Sequence, residues 1–176
     1  VVLRVIAAGA VGINLEDIVP GAADLEPVAL QTDKIATIMK ATANAGIRVV
    51  INARTDVFLK GIGAPEARLG VAIDRGKAFL AAGADCVFVP GVRDRETIGE
   101  LVRGIGGPVN ILATAGTPSI PDLEALGVAR VSLGSGPMRA ALGLVRDVAR
   151  ELKTTGTYGT FTDDAMSFDE VMDLMK

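Results

Sequence analysis

The feature that most constrains this chain is a unit that recurs along it: an amphipathic helical segment, a small-residue turn with glycine, a short apolar run and a polar loop. The turns are Ala8-Gly9-Ala10, Ala45-Gly46, Ala82-Gly83-Ala84, Gly106-Gly107 and Leu126-Gly127. A glycine just past a helix supplies a left-handed C-terminal cap. Each turn is followed by a run that reads as a buried strand, over 12–16, 48–54, 86–90, 109–114 and 129–134. Strands joined through helices are parallel, which leaves an open doubly wound sheet or a barrel. A closed (β/α)8 barrel needs eight strands and typically ~250 residues, whereas this chain has 176. The expected fold is therefore α/β: the later part of a (β/α)8 TIM-type barrel, about five strand–helix units over residues 1–153, with the open sheet as runner-up. Residues 154–176 read as a tail ending in a capped helix at 167–176. Val1 to Ala10 reads as the end of a helix running into a strand, so the fold is expected to begin upstream of Val1.

The intervening segments carry helical spacing. Ile35, Ile38, Met39 and Ala43 share a face, with Thr32 or Asp33 as the expected cap. Leu69, Ala72, Ile73 and Leu80 form the next stripe, and Ile98, Leu101, Val102 and Ile105 follow with Asp94 as N-cap. A short helix starts near Ser119, and the last long one carries Met138, Ala141, Leu142, Val145, Val148 and Leu152. Such i, i+3, i+4 patterns mark amphipathic helices. Composition agrees: 49% of residues are hydrophobic but only 3% aromatic, with 21 glycines, as suits short parallel strands between Ala-rich helices.

Charge and residue inventory exclude several function classes. A net charge of −3 without a basic run argues against nucleic acid as a partner. No apolar run approaches the ~20 residues that span a bilayer, so no membrane partner is expected. A single cysteine, Cys86, excludes an internal disulfide framework and suits a reducing compartment, with the cytoplasm as default. Histidine is absent, so a bound metal would be a hard ion held by oxygen, such as Mg²⁺. Cys86 begins a strand and is read as core.

Two strands end in groups that could carry chemistry. Gly12-Ile13-Asn14-Leu15-Glu16-Asp17 and Val49-Val50-Ile51-Asn52-Ala53-Arg54-Thr55-Asp56 share one design, an apolar run closed by Asn and charge. Alternate residues of a strand face the same way, so Asn14 pairs with Glu16, and Asn52 with Arg54. Facing inward, they bring a carboxylate and a guanidinium to the carboxyl-end mouth, where barrel chemistry occurs. Arg54 suits bidentate binding of carboxylate or phosphate. Two plainer readings stay open: Glu16 and Asp17 ending a strand in solvent, and a structural ion pair of Arg54 with Glu16 or Asp56. The 18–31 segment reads as a long loop, a lid or a disordered stretch. Gly134-Ser135-Gly136-Pro137 offers a weaker, glycine-rich anion cup at a helix start.

Four segments occur in an order and spacing that resemble the isocitrate lyase/phosphoenolpyruvate phosphonomutase superfamily, in its mutase-like branch. They are Ala8–Asp17, Asn52–Asp56, Ala82–Gly91 and Leu126–Gly134. The resemblance covers at least Val1 to Leu152. It implies a barrel whose first three strands are absent from this chain, and a Mg²⁺-dependent site acting on 2-oxo acids through a metal-stabilised pyruvate enolate, with C–C or C–P bond chemistry. It assigns Glu16 to Mg²⁺, usually through water, and Arg54 to the carboxylate or phosphonate end of the substrate. Asn110 matches a substrate-contacting Asn, and Asn14 joins it as a candidate substrate-binding residue. It also implies a homodimer or homotetramer and places the principal metal aspartates before Val1.

Departures from the pattern narrow the reading. The Cys-Gly-His loop of the lyases has no counterpart in residues 18–31, and the lyase Glu that follows the third-strand Pro is replaced by Gly91. Pro20, Gly21 and Asp24 do not match the Lys and Asn of the mutase gating loop. Isocitrate lyase activity is therefore not expected. The expected function is that of a Mg²⁺-dependent enzyme on a small substrate of phosphonopyruvate or oxaloacetate type. The alternative is a non-catalytic or truncated barrel fragment.

Overall fold

The computed structural model describes residues 2–19, 21, 24–163 and 165–176. Helices and strands alternate as the repeat demands: α1 (Val2–Ala7), β1 (Gly12–Glu16), α2 (Val28–Asn44), β2 (Val50–Arg54), α3 (Arg68–Ala81), β3 (Cys86–Phe88), α4 (Arg95–Ile105), β4 (Val109–Leu112), α5 (Ile120–Ala125), β5 (Arg130–Ser132), α6 (Gly136–Thr154), α7 (Gly159–Thr162) and α8 (Phe168–Leu174). A 3₁₀ turn, Pro65–Ala67, leads into α3. Gly9, Gly46, Gly83, Gly106 and Gly127 all take left-handed φ values, between +67° and +108°, so the repeated turn is the cap its sequence announces.

The five strands form a single parallel sheet in the order β1-β2-β3-β4-β5. A strand order that follows the chain without reversal sends every right-handed crossover to the same face. A doubly wound sheet needs a reversal, so that runner-up is excluded. The architecture is a partial (β/α) barrel.

The two faces of this sheet differ in chemistry. Ile51, Ala53, Val87, Val109 and Ile111 are fully buried against helix residues such as Ile35, Ala72, Phe79, Ile98, Leu101 and Leu123. Burying a Val, Ile, Leu or Phe side chain contributes about 1.5–3 kcal/mol relative to exposure, so this face fixes the register. A one-residue slip would turn it outward. The opposite face carries Asn14 and Glu16, Asn52 and Arg54, Cys86 and Phe88, Asn110, and Ser132, aligned across the ladder. A strand's period of two thus separates a helix-packed face from a polar one.

Several boundaries differ from the sequence reading. Helix α2 starts at Val28, with Pro27 at the N-cap position and no side-chain cap. Thr32 is therefore inside the helix, donating to the Ala29 carbonyl at 2.9 Å, and neither it nor Asp33 is the cap. Proline's fixed φ sets the entry angle instead. Asp94 and Ser119 do cap α4 and α5, accepting from the Thr97 and Asp122 amides. Strands β1 and β2 end at Glu16 and Arg54 as expected, whereas β3, β4 and β5 each stop two residues short of their apolar runs, because continued hydrophobicity outlasts continued pairing.

The chain forms two compact units, Val1–Ser132 and Leu133–Lys176. This division falls earlier than the change of composition at Thr154. No residue of α6 is buried, and its Met138, Leu142 and Val145, like Phe168, Leu174 and Met175 around α8, are exposed. Among the described residues no helix is long and apolar enough to cross a membrane.

Within the second unit Glu151 organises the chain that follows α6. Its carboxylate accepts the Thr157 hydroxyl at 2.6 Å and the Gly159 and Thr160 amides at 3.0 and 2.9 Å, which lead α7. The Thr157 and Thr160 donors lower its pKa to about 2. A depressed carboxyl stabilises above its unfolded value, about 4.5, and that contribution disappears as pH falls through about 2. Amide-exchange protection of Gly159 and Thr160 should therefore fall across this window, and Glu151→Gln should show the same loss already at pH 6. Protection that is flat across the window, or untouched by the substitution, would refute this anchor.

Candidate active site

The carboxyl ends of β1 and β2 meet through their longest polar side chains. The register sets Glu16 opposite Arg54. Arg54 Nη1 donates to Glu16 Oε1 at 2.8 Å, while Nε and Nη2 donate to Asp56 Oδ1 and Oδ2 at 2.6 and 3.1 Å. The guanidinium also lies over the Phe88 ring, 5.7 Å from its centroid. Both ion pairs foreseen as structural alternatives are thus made at once. They differ in weight. The Glu16 side chain is 45% exposed and its pair is screened by water. The Asp56 side chain is 1% exposed, and its bidentate grip fixes the plane of the guanidinium.

Asp56 is itself held in place from below. Its amide donates to Asp17 Oδ1 at 2.9 Å, and Asp17 Oδ2 receives Arg75 Nε at 2.7 Å. Arg75 comes from α3 and spends a second donor on the Glu26 carbonyl at 2.8 Å, while the Glu26 amide donates to the Asp17 carbonyl at 2.7 Å. Asp17 is fully buried, which overturns the reading that it meets solvent. As the residue after Glu16 it points to the helix-packed side. Breaking such a buried pair by removing one partner typically costs ~3–5 kcal/mol.

Residues 18–31 are not one long loop. Gln31 belongs to α2 and is buried, donating to the Leu15 and Glu16 carbonyls at 3.4 and 3.0 Å. Before α2, Ile18 and Leu25 are joined by an antiparallel bridge. Glu26 forms an ion pair with Lys34. Gly21 lines the mouth and Asp24 caps the Leu25 amide, whereas Pro20 lies outside the described residues.

The other predicted residues lie on the same polar face but are engaged locally. Asn14 Oδ1 accepts from Asn52 Nδ2 at 2.6 Å. Asn110 is fully buried and exchanges hydrogen bonds with the Ser132 hydroxyl at 2.9 and 3.1 Å. Cys86 is buried beside Asn52 in the ladder, and burial pushes its thiol pKa up, so it behaves as core. A cleft of about 270 Å³ opens at the mouth, lined by Glu16, Ile18, Val19, Gly21, Arg54, Asp56 and Lys60. Of these residues the structure brings together Glu16 and Arg54; Asn14 and Asn110 do not line the cleft.

The described residues do not by themselves make a Mg²⁺ site, since no group of three or more acidic or Cys side chains converges. Asp56 and Asp17 are committed to arginines, which leaves Glu16 as one carboxylate with a free oxygen at the mouth.

Comparison with known proteins gives this geometry a context. Residues 1–153 match the family model described as phosphoenolpyruvate phosphomutase. The chain belongs to the phosphoenolpyruvate phosphomutase family. An uncharacterised protein of Mycobacterium tuberculosis is 40% identical over 139 residues, which is 79% of this chain and 50% of that protein. A solved candidate lyase/mutase from Burkholderia cenocepacia superposes with a TM-score of 0.88 at 31% identity, over 99% of this chain and 62% of the other. A phosphonopyruvate hydrolase solved with oxalate and Mg²⁺ gives 0.78 at 29% identity, over 99% and 62% of the two chains. The chain spans about half the length of the curated relatives it matches.

Arg75, Asp17 and Lys60 escaped the sequence reading as site residues. Arg75 left a signal, a charge within the buried stripe Ala72, Gly76 and Phe79 of α3. Lys60 left none beyond its closeness to Arg54. Gly91, which stands where lyases of this superfamily carry Glu, has a physical reason to be glycine. Its φ is +97°, and a Cβ there would meet the Leu59 backbone nitrogen at 2.7 Å and Cα at 2.8 Å. Gly91→Ala should lower stability by about 1–3 kcal/mol. Gly70→Ala, in helix α3 with open space around it, should be neutral or raise it by up to ~1 kcal/mol. Urea midpoints of the two variants test the contrast, and equal midpoints would refute it.

Proposed function

We propose that this chain supplies the carboxyl-end mouth of a (β/α) barrel enzyme acting on a small 2-oxo acid or phosphonate, of phosphonopyruvate or oxaloacetate type, by C–C or C–P bond chemistry. The observation that carries the proposal is the cleft built on the Glu16–Arg54 pair across β1 and β2. Asp56 and Glu16 use three of the guanidinium's five N–H groups. One N–H remains on Nη1 and one on Nη2. Two donors on adjacent nitrogens of a fixed plane match a carboxylate or phosphonate. Arg54 thus binds and orients the anionic end, while Ile18, Val19 and Gly21 line one side of the cleft.

Membership in the family supports this reading, and so does the hydrolase relative solved with oxalate, a two-carbon dianion. Mg²⁺ belongs to the same proposal. From this chain it would be held by Glu16, through water, and would supply charge stabilisation to the bound 2-oxo acid. The reading as a non-catalytic fragment is the competing outcome of the test.

That test is calorimetric titration with oxalate, with and without Mg²⁺, together with a coupled assay for pyruvate released from phosphonopyruvate or oxaloacetate. Oxalate should bind, and Arg54→Ala should weaken it at least about tenfold, since a charge-assisted bidentate contact contributes roughly 1.5–3 kcal/mol. Absent oxalate binding and absent pyruvate release, unchanged by Arg54→Ala, would sink the proposal. Binding without release would favour the fragment.

A further inference from the structure

We infer that Lys60 is a second anion-recognition residue of the cleft and makes it selective for small dianions over monoanions. The inference rests on the reading of the cleft as a binding site for short acids. Its starting point is a count of charges. The lining holds two carboxylates, Glu16 and Asp56, one guanidinium, Arg54, and one ammonium, Lys60. Arg54 is bound by both carboxylates. Without Lys60 the lining would carry one net negative charge and would repel the anions that Arg54 is shaped to orient. With Lys60 it is neutral, and Lys60 forms no ion pair among the described residues. It is the cleft's one uncommitted cation.

The backbone that carries Lys60 is built to hold it there. Its amide donates to the Asp56 carbonyl at 2.8 Å, and the Ile62 amide to the Val57 carbonyl at 2.9 Å, so a tight turn follows directly from Asp56. Arg68, at the start of α3, braces the far side of this turn by donating to the Gly61 and Gly63 carbonyls at 2.8 and 3.1 Å. Gly91 lets the Leu59 backbone approach β3 more closely than any side chain would allow.

The two cations then divide the work. Arg54 offers a planar fork for one anionic end of the ligand. The Lys60 ammonium, a compact charge on a flexible stem, meets the other end without demanding a particular geometry. A small dianion uses both, and a monoanion uses only Arg54.

The test compares oxalate, a dianion, with pyruvate, a monoanion, by calorimetric titration at low ionic strength. Lys60→Ala should weaken oxalate about three- to tenfold and pyruvate less than about twofold, narrowing the ratio between them. Lys60→Arg should keep the ratio, and Lys40→Ala, an exposed charge on α2, should leave it unchanged. Raising ionic strength should erase the difference between wild type and Lys60→Ala. Equal losses for both acids, or no loss in Lys60→Ala while Arg54→Ala abolishes oxalate binding, would overturn the role of Lys60 and leave the cleft reading intact. A wild-type chain that binds neither acid would overturn both.

Discussion

The carboxylate of Asp17 is the contact on which the rest of this site depends. It is buried, it accepts the backbone amide of Asp56, and it is neutralised by Arg75 from α3. Through Asp56 it fixes the plane of Arg54, and through Arg75 it reaches the Glu26 carbonyl ahead of α2. One ion pair therefore ties together the ends of two strands, a helix and the loop beside the cleft. Its energetic logic is that of a buried pair: desolvation makes it a modest source of net stability, yet removing either partner leaves a charge with no counterion. What it secures is a single arrangement of the mouth.

Much of the fold was legible because it follows from periodicity. The recurring glycine turns are left-handed caps, and the apolar runs after them are parallel strands in chain order. Asp94 capped its helix as its position before an apolar stripe suggested. The start of α2 was misread because capping rules look for Thr or Asp, whereas Pro27 sets the helix by its fixed torsion. The ends of β3, β4 and β5 were overextended for a related reason, since hydrophobicity reports burial and pairing stops sooner.

The site divides along the same line. Glu16 and Arg54 were legible because alternation and parallel pairing put them side by side. Asp17 was not, because whether a strand-end carboxylate turns to solvent or core depends on a partner 58 residues away. Arg75 could have been suspected as a charge in a helix's buried stripe, but its partner could not be named. Lys60 depends on a turn braced by Arg68 and on the close approach at Gly91, neither of which leaves a periodic trace. Asn14 and Asn110 show the converse. The family resemblance singled out both, yet Asn14 accepts a hydrogen bond from Asn52, Asn110 exchanges hydrogen bonds with Ser132, and neither lines the cleft.

The central claim is that a buried carboxylate orients Arg54 for an anionic ligand, and orientation can be separated from charge at Asp56. Asp56→Asn removes a negative charge from the cleft, so electrostatics alone would make an anion bind more tightly. It also breaks the bidentate grip that fixes the guanidinium. The most direct measurement is the dissociation constant of oxalate for Asp56→Asn beside wild type, with folding of both verified by circular dichroism. The account predicts binding weakened about fivefold or more, the order expected for losing a charge-assisted contact. Unchanged or tighter binding would contradict it.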